Sequence, residues 1–89
     1  MEQREVAIGN ELGLNADASA QLARVAAQFM CRVTVARSGR TVNAKSLMGV
    51  MMLAAGKGSR VVVETEGPDE AEALRAIVAL LAGDLGAGR

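Results

Sequence analysis

The stretch CRVTVARSGRTVNAKSLMGVMML, residues 31–53, joins two kinds of hydrophobic periodicity in direct succession. Apolar and polar residues alternate in Cys31–Arg37, which is typical of a strand with one buried face. The dipeptide Ser38-Gly39 is a hairpin-turn signal, so Arg40–Asn43 is predicted to pair with that strand. A short helix is predicted over Leu47–Leu53. The stretch therefore predicts an antiparallel hairpin followed by a helix.

On the N-terminal side, Glu2–Ile8 alternates and predicts a further strand with one buried face. The period changes from Ala16 onward, where apolar residues follow the spacing of one helical face. That face consists of Leu22, Val25, Ala26 and Phe29. Asn15 stands immediately before it and is a good N-cap, because its side-chain oxygen can accept a hydrogen bond from a free backbone N–H group.

On the C-terminal side, Arg60–Thr65 is rich in β-branched residues and predicts a strand. Gly67-Pro68-Asp69 is a turn that leads into a final amphipathic helix. Its apolar face consists of Leu74, Ile77, Val78 and Leu81. The order β-α-β-β-α-β-α predicts an α+β open sandwich, with an antiparallel sheet covered on one side by helices.

A chain of 89 residues is expected to form a single domain, 1–89, in which the glycine-rich residues 83–89 are a flexible tail. Hydrophobic residues make up 51% of the chain, which favours folding over disorder. Phe29 is its only aromatic residue. The core is therefore expected to consist of Val, Leu, Ile, Met and Ala.

Several classes of function are disfavoured by composition. The formal net charge is zero, so no basic excess indicates nucleic acid as a partner. No apolar run is long enough to span a membrane, and the N-terminus lacks the apolar stretch of a signal peptide. A lone Cys31 fits a reducing cytoplasm and is expected to pack in the core. The absence of histidine excludes histidine acid–base chemistry and most transition-metal sites, so no metal or cofactor is expected.

Three methionines lie close together on the predicted short helix, namely Met48, Met51 and Met52. Methionine is an adaptable core residue, but it is also common on surfaces that bind other proteins. Some of these side chains must point outward on so short a helix. Core filling and docking both remain open at this point.

The segment Val42–Leu53 resembles the regulatory-serine segment of HPr, the small phosphocarrier family of the bacterial sugar phosphotransferase system. Gly13-Leu14 before a helix, Ser38-Gly39-Arg40 in a hairpin and Glu64–Asp69 before the last helix fall where the family has counterparts. The resemblance extends from about Glu2 to Leu81. It implies a four-stranded antiparallel sheet with three helices on one face, which agrees with the order derived from periodicity.

The resemblance fails at the family's phosphate-carrying motif. In the family, Gly-Leu is followed by His-Ala-Arg, whose histidine accepts phosphate from Enzyme I, but this chain has Asn15-Ala16-Asp17. The amide of Asn15 has no nucleophilic nitrogen. Asp17 reverses the local charge, and at about 6 Å each unit charge is worth on the order of 0.7–3 kcal/mol. We therefore expect no relay of phosphate, with Asn15 as a helix cap and Asp17 as a first-turn acid.

The family's regulatory serine is retained as Ser46. The resemblance implies that an ATP-dependent HPr kinase phosphorylates it and that Lys45 adds attraction for the phosphate. It also implies that Leu47, Met48, Met51 and Lys45 dock on partners. A serine at this position is also a good N-cap, and both roles are compatible. The expected partners are Enzyme I, HPr kinase or a regulator, and the chain is expected to be a monomer and not an enzyme itself.

Three hypotheses follow. The favoured one is a regulatory HPr-like protein switched at Ser46. The second is a decoy that binds partners of the phosphotransferase system without being phosphorylated. The third is a site-altered version of an ordinary phosphocarrier, in which Asn15 and Asp17 replace the natural residues.

Overall fold

The structure is a computed structural model that describes residues 1–84. Its strands are β1 (Glu2–Ala7), β2 (Arg32–Arg37), β3 (Arg40–Asn43) and β4 (Arg60–Glu66). Its helices are α1 (Ala16–Ala26), α2 (Leu47–Met52) and α3 (Glu70–Ala79), and a π-helical turn over Leu80–Asp84 follows α3. Of the tail predicted over 83–89, the first two residues belong to this turn, and residues 85–89 lie outside the described residues.

The strands form one antiparallel sheet in the order β1-β4-β2-β3. Burial alternates along the two central strands: Val33 and Val35 in β2 and Val61 and Val63 in β4 are fully buried. Their neighbours along each strand are half-buried or exposed, because only one face of the sheet is covered by the helices. This α+β open sandwich confirms the fold predicted from the sequence.

The core between sheet and helices is aliphatic. Its largest fully buried apolar side chains are Ile8, Leu22, Ile77, Leu81, Val33, Val35, Val50, Val61 and Val63. The expectation that methionine contributes to this core is wrong, because all five methionines are exposed, at between 40% and 83%. Three of the five, Met48, Met51 and Met52, lie in α2. The single buried residue of this helix is Val50, so these methionines point to solvent.

The connection between α1 and β2 differs from the prediction. The helical face was expected to continue to Phe29, but α1 ends at Ala26. The backbone N–H groups of Met30 and Cys31 donate to the two carboxylate oxygens of Asp69, each at 2.9 Å. These hydrogen bonds, first the one from Met30, hold the pKa of Asp69 below its usual value. They fix the start of β2 against the start of α3.

Within residues 1–84, two residues other than glycine have left-handed backbone conformations. Ser38, at φ 52°, and Gly39, at φ 81°, together form the predicted hairpin turn, in which both central residues need positive φ. Ala54, also at φ 52°, follows the C-cap of α2. A side chain with a Cβ atom is strained in this conformation, so Ala54 lowers the stability of the fold.

We predict that Ala54→Gly raises the free energy of unfolding by about 1 kcal/mol, because glycine adopts this conformation without steric conflict. Ala54 is exposed, so the substitution removes no buried contact. The control is Ala79→Gly at an exposed helical position of α3, which we expect to lower the free energy of unfolding by up to about 1 kcal/mol. Urea unfolding measures both. Equal destabilisation by the two variants would contradict the left-handed conformation at residue 54.

Candidate functional site

The loop before α1 and the loop after α2 meet in a close backbone contact. Gly13 has φ 65°, and a Cβ atom on it would lie 2.5 Å from the carbonyl oxygen of Ala55. The N–H group of Leu14 donates to that same oxygen at 2.8 Å. Glycine is therefore required at residue 13. The contact holds the N-terminus of α1 beside the C-terminal end of α2.

Asn15 caps α1 as predicted. Its side-chain Oδ1 accepts a hydrogen bond from the N–H group of Ala18 at 2.9 Å. Asp17 lies exposed in the first turn, and the buried hydroxyl of Ser19 donates to the Leu14 carbonyl oxygen at 3.0 Å. This helix end therefore presents an amide whose oxygen is already engaged and a carboxylate. Neither the Asn15 amide nor the Ser19 hydroxyl offers a nucleophilic nitrogen that could accept a phosphate.

Ser46 caps α2, also as predicted. Its Oγ accepts a hydrogen bond from the N–H group of Gly49 at 3.1 Å, and the side chain is half-buried. The preceding turn is closed by Asn43, whose Oδ1 accepts from the N–H group of Lys45 at 2.9 Å. The Asn43 carbonyl oxygen accepts from the Ser46 N–H group at 3.0 Å. Ser46 thus lies in a hydrogen-bonded turn at the start of α2 and is partly exposed to solvent.

The ammonium group of Lys45 is engaged elsewhere. Its Nζ donates to the carbonyl oxygen of Phe29 at 2.8 Å, in the segment that follows α1. A hydrogen bond from an ammonium group to a carbonyl oxygen is charge-assisted, so it holds the Lys45 side chain against this segment. The hydrogen bond uses one of the three ammonium donors, so the positive charge and two donors remain for the attraction of a phosphate on Ser46 that the resemblance implies.

The residues of α2 that avoid the core form an exposed apolar surface, which we call the methionine patch. Its members, with their exposed fractions, are Leu47 (42%), Met48 (68%), Met51 (40%) and Met52 (58%). Apolar side chains clustered on the surface of a small protein favour contact with another protein. Of the two roles that the sequence left open, the structure excludes core filling. Met52, absent from the predicted docking set, belongs to the same surface.

Two arginines border the C-terminal end of the methionine patch. Arg40 donates from Nη1 to the Met52 carbonyl oxygen at 2.9 Å, and Arg37 donates from Nη1 to the Leu53 carbonyl oxygen at 3.1 Å. With Lys45 at the other end, positive charge flanks the patch on both sides. Sequence reasoning missed both arginines. The sequence does contain a signal for a positively charged surface in this region, because residues 18–63 contain no Asp or Glu and their charged side chains are all basic.

The family model described as "PTS HPr component phosphorylation site" matches residues 2–83. The chain belongs to the HPr family. It is 56% identical over 88 residues to the phosphocarrier protein HPr of Cupriavidus necator, a match that covers 99% of both chains. It is 38% identical over 81 residues to the HPr-like protein Crh of Halalkalibacterium halodurans, covering 91% of this chain and 96% of that one. The crystal structure of HPr from Bacillus anthracis matches with a TM-score of 0.88 at 40% identity, over 90% of this chain and 95% of that one.

The family and fold predicted from the sequence are thereby confirmed. HPr proteins are phosphocarrier components of the phosphotransferase system and are not catalysts themselves. Within residues 1–84, no helix combines the length and apolar character needed to cross a membrane. In the same part of the chain, no three Cys, Asp or Glu side chains converge where they could hold a metal ion.

Proposed function

We propose that this protein is a histidine-less regulatory member of the HPr family, which docks on partners through the methionine patch and is switched by phosphorylation of Ser46. One observation carries the proposal. Asn15, with its oxygen engaged by the Ala18 N–H group, stands where the family has its histidine, whereas the serine remains at the start of α2 beside the patch.

The N-terminus of α1 is poorly suited to hold a transferred phosphate. Free N–H groups at a helix start bind anions, but here the amide oxygen of Asn15 already accepts from the Ala18 N–H group at 2.9 Å. The exposed carboxylate of Asp17 lies in the same turn and repels an approaching dianion. The site thus lacks both the nucleophile and the positive charge that phosphate relay needs.

Phosphorylation at Ser46 would act on the docking surface directly. A phosphoserine carries about −1.5 to −2 charges at pH 7, next to Leu47 and the exposed methionines. The patch is flanked by Arg37, Arg40 and Lys45, so its unmodified form suits a partner with an apolar centre and an acidic rim. The added phosphate offsets about half to two thirds of these three positive charges, so it weakens binding of such a partner relative to a partner without an acidic rim.

The proposal places the protein in the cytoplasm as a monomer that meets Enzyme I, HPr kinase or a regulator of carbon use. Asn15 and Asp17 are taken here as natural residues. The native gene tests this directly, since histidine and arginine codons at these positions would identify a site-altered version of an ordinary phosphocarrier.

We expect HPr kinase with ATP to add one phosphate to the protein, as measured by intact mass. Ser46→Asn should abolish this gain while preserving the helix cap, because asparagine is as good an N-cap as serine. Ser59→Ala, which removes a half-buried hydroxyl elsewhere, should leave the gain unchanged. If the kinase modifies an authentic HPr in the same tube but not this protein, the serine switch is wrong.

We expect Enzyme I with phosphoenolpyruvate to leave this protein unmodified but to phosphorylate the double variant Asn15→His/Asp17→Arg. The single variant Asn15→His should react roughly tenfold more slowly than the double variant, because the Asp17 carboxylate still repels the phosphate. Gln28→His, an exposed histidine away from α1's N-terminus, is the control and should remain unmodified. An unmodified double variant would mean that other residues prevent the transfer.

The second candidate, a decoy that binds without phosphorylation, is favoured by one observation. The methionine patch is exposed while the Ser46 hydroxyl is held by Gly49, so docking needs no modification. In this case Enzyme I or a transferase would bind this protein in its unphosphorylated form.

We predict that Leu47→Asp lowers the affinity for such a partner by roughly tenfold or more, because a charge at the centre of an apolar contact must be desolvated. The variant should still fold, since an acid in the first turn of α2 suits the helix dipole. Ala71→Asp adds the same charge in the first turn of α3, outside the patch, and should bind normally. Calorimetric titration measures both; equal affinities would exclude the patch as the docking surface.

A further inference from the structure

The side chains that oxidants attack most readily are few in this protein, and most of them are thioethers. The chain contains five methionines and one cysteine, and it lacks histidine, tryptophan and tyrosine. Three of the five methionines lie within the methionine patch. The surface that we propose for docking therefore carries three oxidisable thioethers, whereas Met1 and Met30 lie exposed outside it.

The cysteine is a poor competitor for oxidants. Cys31 is 1% exposed, whereas the methionines of the patch are between 40% and 68% exposed. Burial, with the neighbouring Asp69 carboxylate, raises the pKa of the Cys31 thiol, and the thiolate is the form that reacts with peroxides. A thioether needs no deprotonation, so the methionines react first.

The fold tolerates this oxidation. Every methionine is exposed and the described core is built from aliphatic side chains and Cys31, so a sulfoxide would be formed in solvent and not among buried residues. In α2, the buried Val50 and the cap at Ser46 are untouched by the reaction. Oxidation is thus expected to change the chemistry of the surface and leave the stability nearly unchanged.

We propose that Met48, Met51 and Met52 form a reversible oxidation site, at which hydroperoxides convert the thioethers to sulfoxides and thereby weaken docking. The inference rests on the docking role proposed for the methionine patch. A sulfoxide is polar and a strong hydrogen-bond acceptor, so burying it against the apolar centre of a partner costs free energy.

Oxidation of a thioether by a hydroperoxide transfers one oxygen atom and two electrons. The sulfur lone pair attacks the terminal OH oxygen of the hydroperoxide, and the O–O bond breaks as the S–O bond forms. The proton of the attacked oxygen passes to the other oxygen, which leaves as water or an alcohol. Sulfur loses two electrons and the peroxide gains them. A thiol-dependent sulfoxide reductase supplies the reverse step, in which two thiols become a disulfide and the oxygen leaves as water.

The test compares Ser46 phosphorylation by HPr kinase before and after hydrogen peroxide treatment, with the peroxide removed by desalting before the kinase is added. Peptide mass analysis is expected to find sulfoxide at Met48, Met51 and Met52 and an unmodified Cys31. The phosphorylation rate at low protein concentration should fall roughly tenfold. Circular dichroism should report an unchanged fold, and sulfoxide reductase should restore the rate.

Two variants identify which thioethers matter. Met48→Leu/Met51→Leu/Met52→Leu keeps the patch apolar without thioethers, so its phosphorylation rate should be the same before and after peroxide treatment. Met30→Leu removes the most exposed methionine, at 83%, outside the patch, and should remain as sensitive as the unaltered protein.

The proposal is overturned if peroxide lowers the phosphorylation rate of the triple variant as much as that of the unaltered protein. It is also overturned if sulfoxides in the patch leave the phosphorylation rate of the unaltered protein unchanged. A reduced protein that the kinase does not modify contradicts the proposed serine switch instead. Binding of Enzyme I to the reduced and the oxidised protein then tests the oxidation site separately, and equal affinities overturn it.

Discussion

The approach of Gly13 to the carbonyl group of Ala55 is the constraint on which the rest of the site depends. A side chain at residue 13 would meet this oxygen at 2.5 Å, and the same oxygen accepts the Leu14 N–H group at 2.8 Å. The contact joins segments that are about forty residues apart in the chain and fixes where α1 begins relative to where α2 ends. Asn15 comes shortly after Gly13 in the chain, and the methionine patch ends shortly before Ala55.

The two caps on either side of this junction illustrate how one local structure serves different chemistry. Asn15 and Ser46 each accept a backbone N–H group three residues later, at 2.9 and 3.1 Å. A cap needs only a short side chain with an acceptor oxygen, so both helices form equally well. The chemistry differs because an amide cannot take up phosphate, whereas a hydroxyl can be esterified. A change of capping residue at a helix start can therefore change which chemistry that position offers and leave the fold intact.

The short length of α2 explains the character of the methionine patch. A six-residue helix has little more than one and a half turns, and Val50 is its only residue in the core. The methionines on its other sides remain exposed. Arg37 and Arg40 stabilise the end of the same helix through its carbonyl groups, so the cations that border the patch also hold it in place.

The sequence by itself determined the order of strands and helices, the hairpin at Ser38-Gly39 and both helix caps, because periodicity, turn residues and capping residues act over a few neighbouring positions. The family, and with it the absence of the phosphate-carrying histidine at Asn15, was also predicted from the sequence.

Only the tertiary structure decided the exposure of Met52, the positions of Arg37 and Arg40 against α2, and the attachment of Lys45 to Phe29. It also ended α1 before Phe29, where Asp69 takes up the next N–H groups. Each of these depends on residues distant in the chain, and short-range patterns carry no information about which distant groups will meet.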